Sequence, residues 1–408
     1  MTASKPGSFF RLASICLLVC LAAKGAHASD FAVSDLERPA TASNEFGAAV
    51  AAEAGFVAVG DPGANRVYIY QRLGNALVLD TEIPLDPELI PIGFTGNPRF
   101  GASLALVLGA YCLDFSTCSG HTVVIGAPAI ELVDIWTRNN PVVFPEDPAP
   151  FWEPILWFDT GDFVEDLFGD GFGQAVSITE ELILIGAPQA PPDGEVYLFS
   201  RNGEALIDVI GPDGSIFRKG STTRSAAGKG GMNAGFGTAI ANNRGKLTIG
   251  APQAFGTGMV QLYDAVGSNL TPTGRAQGEP GDEFGSAITM SGDLVATGAP
   301  NAEDGAGAAT VFDFEEPQQS VFTATAAGLT NVGSSVALEG EFLLAGASAE
   351  GQPTAILRSA ADPEFELRFD GDLVAGASAE VFVASDAAAG EISVALDQET
   401  LFASGMER

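Results

Sequence analysis

Histidine, cysteine and positive charge are what this 408-residue chain has least of. It holds two histidines, four cysteines and 19 Lys or Arg residues against 52 Asp or Glu, a formal net charge of −33. His27, Cys16 and Cys20 all fall in the first 28 residues. His121 is then the single imidazole of the remainder, which excludes zinc or iron sites built on several histidines. A Ser-His-Asp or Cys-His mechanism would have to run through His121, and no Gly-x-Ser-x-Gly elbow accompanies it. Gly228-Lys229-Gly230 lacks both the glycine spacing and the following Ser/Thr of a phosphate-binding loop, and no dinucleotide fingerprint is present. Carboxylates are plentiful enough for a paired-acid glycosidase, but no pair stands apart. No catalytic residue is assigned, and the chain does not read as an enzyme. So few cations also argue against nucleic acid and anionic lipid as partners, because phosphate binding rests on Lys and Arg.

Long apolar runs are scarce as well. Lys5 and Arg11 precede a short apolar stretch, Leu12 to Ala23, and Ala26-His27-Ala28 gives the small-x-small pattern of a signal peptidase site. That stretch is shorter than the roughly 20 residues needed to cross a bilayer, and no later one is longer. Residues 1–28 are therefore expected to be a signal peptide cut after Ala28, with 29–408 secreted, periplasmic or on the cell surface and without a membrane span. Ile15 and Val19 stand before Cys16 and Cys20 where a lipobox needs a small side chain. Losing Lys5, Arg11 and Lys24 leaves 16 basic residues against 52 acidic ones, a net of −36. In an oxidising compartment Cys112 and Cys118 are expected to close a small loop as a disulfide; a two-thiol metal site would need further ligands.

What is abundant is repetition, which takes precedence over any local pattern. Phe-Gly recurs at Phe46-Gly47, Phe100-Gly101, Phe172-Gly173, Phe236-Gly237 and Phe284-Gly285, with a degenerate copy at Val332-Gly333 and a weaker one at Ala375-Gly376. Gly-Ala-Pro or a relative follows at Gly60-Asp61-Pro62, Gly126-Ala127-Pro128, Gly186-Ala187-Pro188, Gly250-Ala251-Pro252, Gly298-Ala299-Pro300 and Gly346-Ala347-Ser348. A short alternating strand closes each unit, from Val67-Tyr68-Ile69-Tyr70 to Ile392-Ser393-Val394-Ala395. Within the fifth unit, alternation over Phe284 to Met290 and a turn at Ser291-Gly292-Asp293 predict a hairpin, and Pro300 ends the ladder for want of an N–H. Four strands per unit without helical periodicity predict an all-β, seven-bladed β-propeller of four-stranded antiparallel blades. The Phe is expected to fill the gap between blades and the glycines to permit close backbone approach. Residues 30–40 are expected to supply a strand to the weak seventh blade.

These marks resemble the FG-GAP repeat of integrin α-subunit heads, in its bacterial secreted form. Gly281-Asp282-Glu283-Phe284-Gly285 and Gly194 to Phe199 match that form nearly letter for letter, and the likeness runs over about residues 44–396. It implies a binding or adhesion module, and in integrins a calcium ion held between the first two strands of a blade. Here those connections, such as Glu53-Ala54-Gly55 and Asn242-Asn243-Arg244, are too short and too poor in oxygen for an ion wanting six to eight ligands. No cofactor is required on this reading, although Ca2+ remains open.

Insertions at about 107–121, 137–171 and 211–235 interrupt the repeat, and insertions in propellers map to loops. The first holds the cysteine pair, as a stapled hairpin or a recognition loop. The second holds Phe151, Trp152, Trp157 and Phe158, either an aromatic platform for a sugar or protein ligand or the outer strand of a blade. Asp159, Asp162, Asp166 and Asp170 run through the same insertion as weak metal candidates. The third is locally basic, and Arg218 and Lys219 could meet an anion or lie on a solvated loop. The reading is a monomeric module for an extracellular protein or glycan. A lectin or glycosidase using the Trp-rich insertion, or a structural envelope component, are the alternatives.

Overall fold

The computed structural model describes residues 31–397 apart from 75, 109–119, 140–150, 160–168, 180–181, 192, 201–205, 212–215, 219–233, 267–268, 341, 362–365, 371–372, 378–380 and 387–390. Residues 1–28, expected to be a signal peptide, and Cys112 and Cys118, expected to form a disulfide, lie outside the described residues.

After an N-terminal strand, β1 (Phe31–Asp35), the chain forms antiparallel blades of consecutive strands. The first blade is β2 (Ala49–Glu53), β3 (Phe56–Asp61), β4 (Arg66–Leu73) and β5 (Ala76–Pro84). The second is β6 (Ser103–Leu108), β7 (His121–Ala127), β8 (Leu132–Asn139) and β9 (Phe151–Asp159). The third is β10 (Ala175–Ile178), β11 (Leu182–Ala187), β12 (Glu195–Ser200) and β13 (Leu206–Ile210), with β14 (Ile216–Arg218) added at its outer edge. The fourth is β15 (Ile240–Asn243), β16 (Lys246–Ala251), β17 (Met259–Val266) and β18 (Asn269–Gln277). The fifth is β19 (Ile288–Ser291), β20 (Leu294–Ala299), β21 (Ala308–Asp313) and β22 (Ser320–Ala324). In the sixth, β23 (Leu329–Thr330) and β24 (Val336–Glu339) both pair with β25 (Phe342–Ala349), followed by β26 (Gln352–Ser359) and β27 (Glu366–Asp370). Finally β28 (Leu373–Ala377), β29 (Val381–Asp386) and β30 (Glu391–Asp397) make a sheet with β1 on its outside.

The architecture is thus an all-β propeller of mainly four-stranded antiparallel blades. The sequence reading expects seven like units; the structure has six blades of consecutive strands and one composite sheet. In the composite sheet β1 pairs antiparallel with β30, Phe31 opposite Asp397 and Ser34 opposite Val394. The first strands of the six blades contact one another in order, and β28 touches both β24 and β2. The Ala375-Gly376 mark is also corrected. In the six blades the Phe-Gly position lies just before the first strand, whereas Ala375-Gly376 is inside β28. There Ala375 stands opposite Val383 and Gly376 opposite Phe382 within the ladder, so the pair does not take the Phe-Gly position.

The repeat marks meet in space. Within each blade the Phe-Gly glycine donates its N–H to the carbonyl of the Gly-Ala-Pro glycine, as in Gly47 to Gly60 (2.9 Å) and Gly285 to Gly298 (3.0 Å). Between blades the contact is reversed. A Cβ added at Gly60 would stand 2.0 Å from the Gly101 carbonyl oxygen of the next blade, and one at Gly298 would stand 1.8 Å from that of Gly333. The Phe-Gly glycines hold φ between 86° and 94°, a region that side chains avoid. Phe46, Phe100, Phe172 and Phe236 are buried in clusters joining one sheet to the next; Phe46, for instance, packs with Tyr68 of its own blade and Val383 and Val394 of the composite sheet. At that last seam Ser385 occupies the Gly-Ala-Pro register, and its buried hydroxyl donates to the Gly47 carbonyl at 2.9 Å.

Two variants test this arrangement. Gly298→Ala sets a methyl against backbone that cannot rotate away, and should destabilise by about 1–3 kcal/mol in urea unfolding. Ser385→Ala removes one buried hydrogen bond and should cost about 1 kcal/mol. A Gly298→Ala protein as stable as the parent would show that the seam yields freely.

Candidate functional site

The second insertion is, in its described part, the outer strand of the second blade. Strand β9 carries an extra residue, Ile155, opposite the Ile135/Trp136 step of β8. The same irregularity recurs in the first, third, fourth and fifth blades, and such bulges re-aim side chains. In the first blade the extra residue is Asp80, and it points into the seam. There Trp152 donates its indole N–H to Asp80 Oδ2 at 2.8 Å, and Arg138 Nε lies 3.5 Å from the same oxygen. The Arg138 guanidinium sits 4.9 Å from the centre of the Phe56 ring, and the His121 ring lies 4.3 Å from it. Trp152 is only 9% exposed and packs in the core shared by blades one and two. It fixes the seam and does not offer a platform.

Trp157 is different. It stands opposite Asp134 across the β8–β9 ladder and is 44% exposed. Asp134 is buried, and it accepts the Trp136 indole N–H at 2.7 Å and the Ile135 backbone N–H at 2.9 Å. Burial pushes its carboxyl up to about 6; the two hydrogen bonds pull the other way, and the Asp86 carboxylate adds a smaller upward push. Asp86 opens the loop after the first blade, where it caps a turn of 3-10 helix (Pro87–Leu89) by accepting the Glu88 N–H at 2.9 Å. Leu89, Ile90, Phe94 and Trp136 pack together against the same core, while Ile92 is fully exposed. The outer mouth of this seam therefore presents an indole face and apolar loop residues over a buried carboxyl that titrates at about 6, well above the usual carboxylate range.

The remaining sequence candidates do not join it. Phe151 begins β9 at 41% exposure, and by alternation lies on the face opposite Trp152; Phe158 is buried against Phe199. Arg218 lies on the backbone of β14, opposite Asp208, and Lys219 is outside the described residues. Asp159 ends β9, and Asp162 and Asp166 are outside the described residues. Asp170 is buried where the second and third blades meet: Glu131 Oε1 accepts the N–H groups of Gly169 (2.6 Å) and Asp170 (3.3 Å). Among the described residues no group of three or more His, Cys, Asp or Glu could hold a metal. The β2–β3 and β15–β16 turns are two-residue hairpins, Ala54-Gly55 and Arg244-Gly245. Sequence reasoning missed Asp134. The signal was there, since a carboxylate fills the strand position that Tyr68 and Tyr197 fill in neighbouring repeats. Trp136, two residues further along β8, is half-buried and gives its indole N–H to that carboxylate.

Residues 271–312 match the family model described as FG-GAP repeat. They run from β18 through the fifth blade's Phe-Gly, Gly-Ala-Pro and closing strand. The chain carries an FG-GAP repeat. Among solved structures, one titled "Structure of Dos1 propeller" is similar to this chain at 11% identity, over 84% of this chain and 75% of that one, with a TM-score of 0.47. No curated protein matches the chain in sequence. No helix among the described residues is long and apolar enough to cross a membrane.

His121 and Asp134 titrate in opposite senses. Burial, and secondarily Arg138, lowers His121 to about 4, so its neutral form suits the fold; its contribution is complete above the unfolded value near 6.5 and is lost as pH falls through 4. Asp134 is raised to about 6, so its contribution is complete below the unfolded value near 3.9 and is lost as pH rises through 6. Relative to the parent in urea unfolding, His121→Gln should gain stability on going from pH 6.5 to pH 4. Asp134→Asn should gain on going from pH 4 to pH 6.5. Each swing is on the order of 3 kcal/mol at most. Parallel curves for parent and variants would remove both assignments.

Proposed function

We propose that this FG-GAP propeller is a secreted or cell-envelope binding module, a monomeric ring in which the composite sheet serves as a seventh blade. Its partner is an extracellular protein or glycan, taken up at the mouth of the seam between blades one and two. The observation that carries this reading is Trp157: a large indole half out of water on a paired strand, beside the buried Asp134. Exposed Trp on a rigid support costs little entropy to bind and is typical of interface anchors and of surfaces that stack sugar rings. A carboxyl beneath it can donate or accept a hydrogen bond according to its protonation. An enzymatic role has less support, because His121 is buried against Phe56 and feels the charge of Arg138. Export with cleavage after Ala28 and a Cys112–Cys118 disulfide belong to the same reading. The Trp-rich insertion acting as a lectin surface is compatible with it. Burial of Trp152 lends the envelope-component reading some weight, since half of the expected aromatic platform is structural.

The exported protein on a glycan and matrix-protein array distinguishes these. Trp157→Ala should weaken binding at least tenfold with an unchanged melting temperature. Trp152→Ala should destabilise by about 3–5 kcal/mol, as loss of a buried aromatic does. Equal binding by parent and Trp157→Ala, or no binding by either, would move the function away from this mouth.

A further inference from the structure

A second unusual feature lies two blades further round, in the loop between β16 and β17. Five of the loops that join the second and third strands of a blade place their residue in the left-handed region five positions after the Gly-Ala-Pro glycine. These residues are Asn65 (φ 52°), Glu131 (φ 53°), Phe255 (φ 56°), Glu303 (φ 53°) and Gly351 (φ 81°). Asn and Gly suit that backbone, and a flexible Glu is tolerable there. A bulky aromatic is a true outlier. Local backbone preference therefore works against Phe255, and its ring is not repaid by a core, being 43% exposed. Its one close ring partner among the described residues is Arg275, itself on the surface, whose guanidinium lies 5.2 Å from the ring centre.

Beyond Arg275, the neighbourhood is acidic. The Gly281 N–H binds the Gly256 carbonyl at 2.9 Å, which lays the loop Glu279–Glu283 beside Phe255. Glu279 is exposed, and Asp282 and Glu283 are half-buried on that loop. Residues held in unfavourable backbone and exposed together are drawn from functional surfaces, where the strain is retained for what the side chain does.

We infer that Phe255 is the anchor of a docking surface for a protein segment that presents aliphatic side chains between basic ones. The ring would pack on the aliphatic side chains. Glu279, Asp282 and Glu283, on a chain with a net charge of −33, would meet the cations. This surface is separate from the Trp157 mouth, so either assignment can fail without the other.

The test is fluorescence anisotropy of the full chain with three sets of labelled synthetic peptides, Leu/Val segments flanked by Lys/Arg, by Asp/Glu or by Ser. The basic set should bind best and weaken with salt. Phe255→Asn should lose at least tenfold in affinity while its melting temperature stays level or rises, because Asn suits the backbone. Glu303→Gly, the same position one blade on, should bind as the parent does. Three results would overturn the inference: unchanged affinity in Phe255→Asn, a lower melting temperature in that variant, or no preference for the basic set. A lower melting temperature would show that the ring is held for Arg275 and the fold. Binding of the parent and Phe255→Asn alike would leave the peptide contact elsewhere.

Discussion

Everything in this propeller depends on glycine meeting glycine. A blade's Gly-Ala-Pro glycine lies against the carbonyl of the next blade's Phe-Gly glycine, closely enough that a single methyl would sit about 2 Å from that oxygen in five of the seams. The same Phe-Gly glycine hydrogen-bonds the Gly-Ala-Pro glycine of its own blade. Intrablade pairing and interblade packing thus share one residue. The spacing between blades is set by backbone in contact with backbone, and it cannot drift without breaking a hydrogen bond or opening a void. The recurring grammar of the sequence is the imprint of this contact, with the phenylalanine, or Val332 in the sixth blade, filling the wider part of the seam outside it.

The ring closes by a different device. Where the last sheet meets the first blade, Ser385 stands at the Gly-Ala-Pro register, and its hydroxyl donates to the carbonyl that elsewhere meets a bare Cα. The outer strand of that sheet comes from the other end of the chain. Closure therefore couples residues more than 300 positions apart through one ladder and one buried hydrogen bond. A chain-entropy cost of this size is offset by the side chains that fill the seam, among them Phe46, Val383 and Val394.

A scaffold so tightly specified leaves its chemistry to the outer strands and connecting loops. The same bulge recurs in five blades, and in the first it aims Asp80 into the seam and so ties down Trp152 and Arg138. One strand thereby carries two tryptophans with opposite fates. Trp152 is drawn into the seam by a carboxylate from the neighbouring blade, whereas Trp157 reaches the rim and stays 44% exposed. The backbone of Phe255 shows the reverse case, a bulky side chain kept at a position whose φ favours glycine or asparagine.

The sequence by itself determined the repeat, the strand order within a blade, the outer-strand nature of the aromatic insertion as one of two readings, and the shortage of histidine that limits catalysis. Those follow from local pattern: alternation of period two, turn glycines, and motifs at fixed offsets. The closing strand could be anticipated because the last unit is a strand short. Tertiary structure alone decided which tryptophan is buried, since that depends on a bulge residue 72 positions away. It alone raised Asp134, because a carboxyl's burial is a property of the seam and not of its neighbours in sequence. It also placed Ser385 at a glycine's register and Phe255 in the left-handed region, where the backbone geometry of a repeat, invisible in the letters of any one copy, reveals which residue is out of keeping.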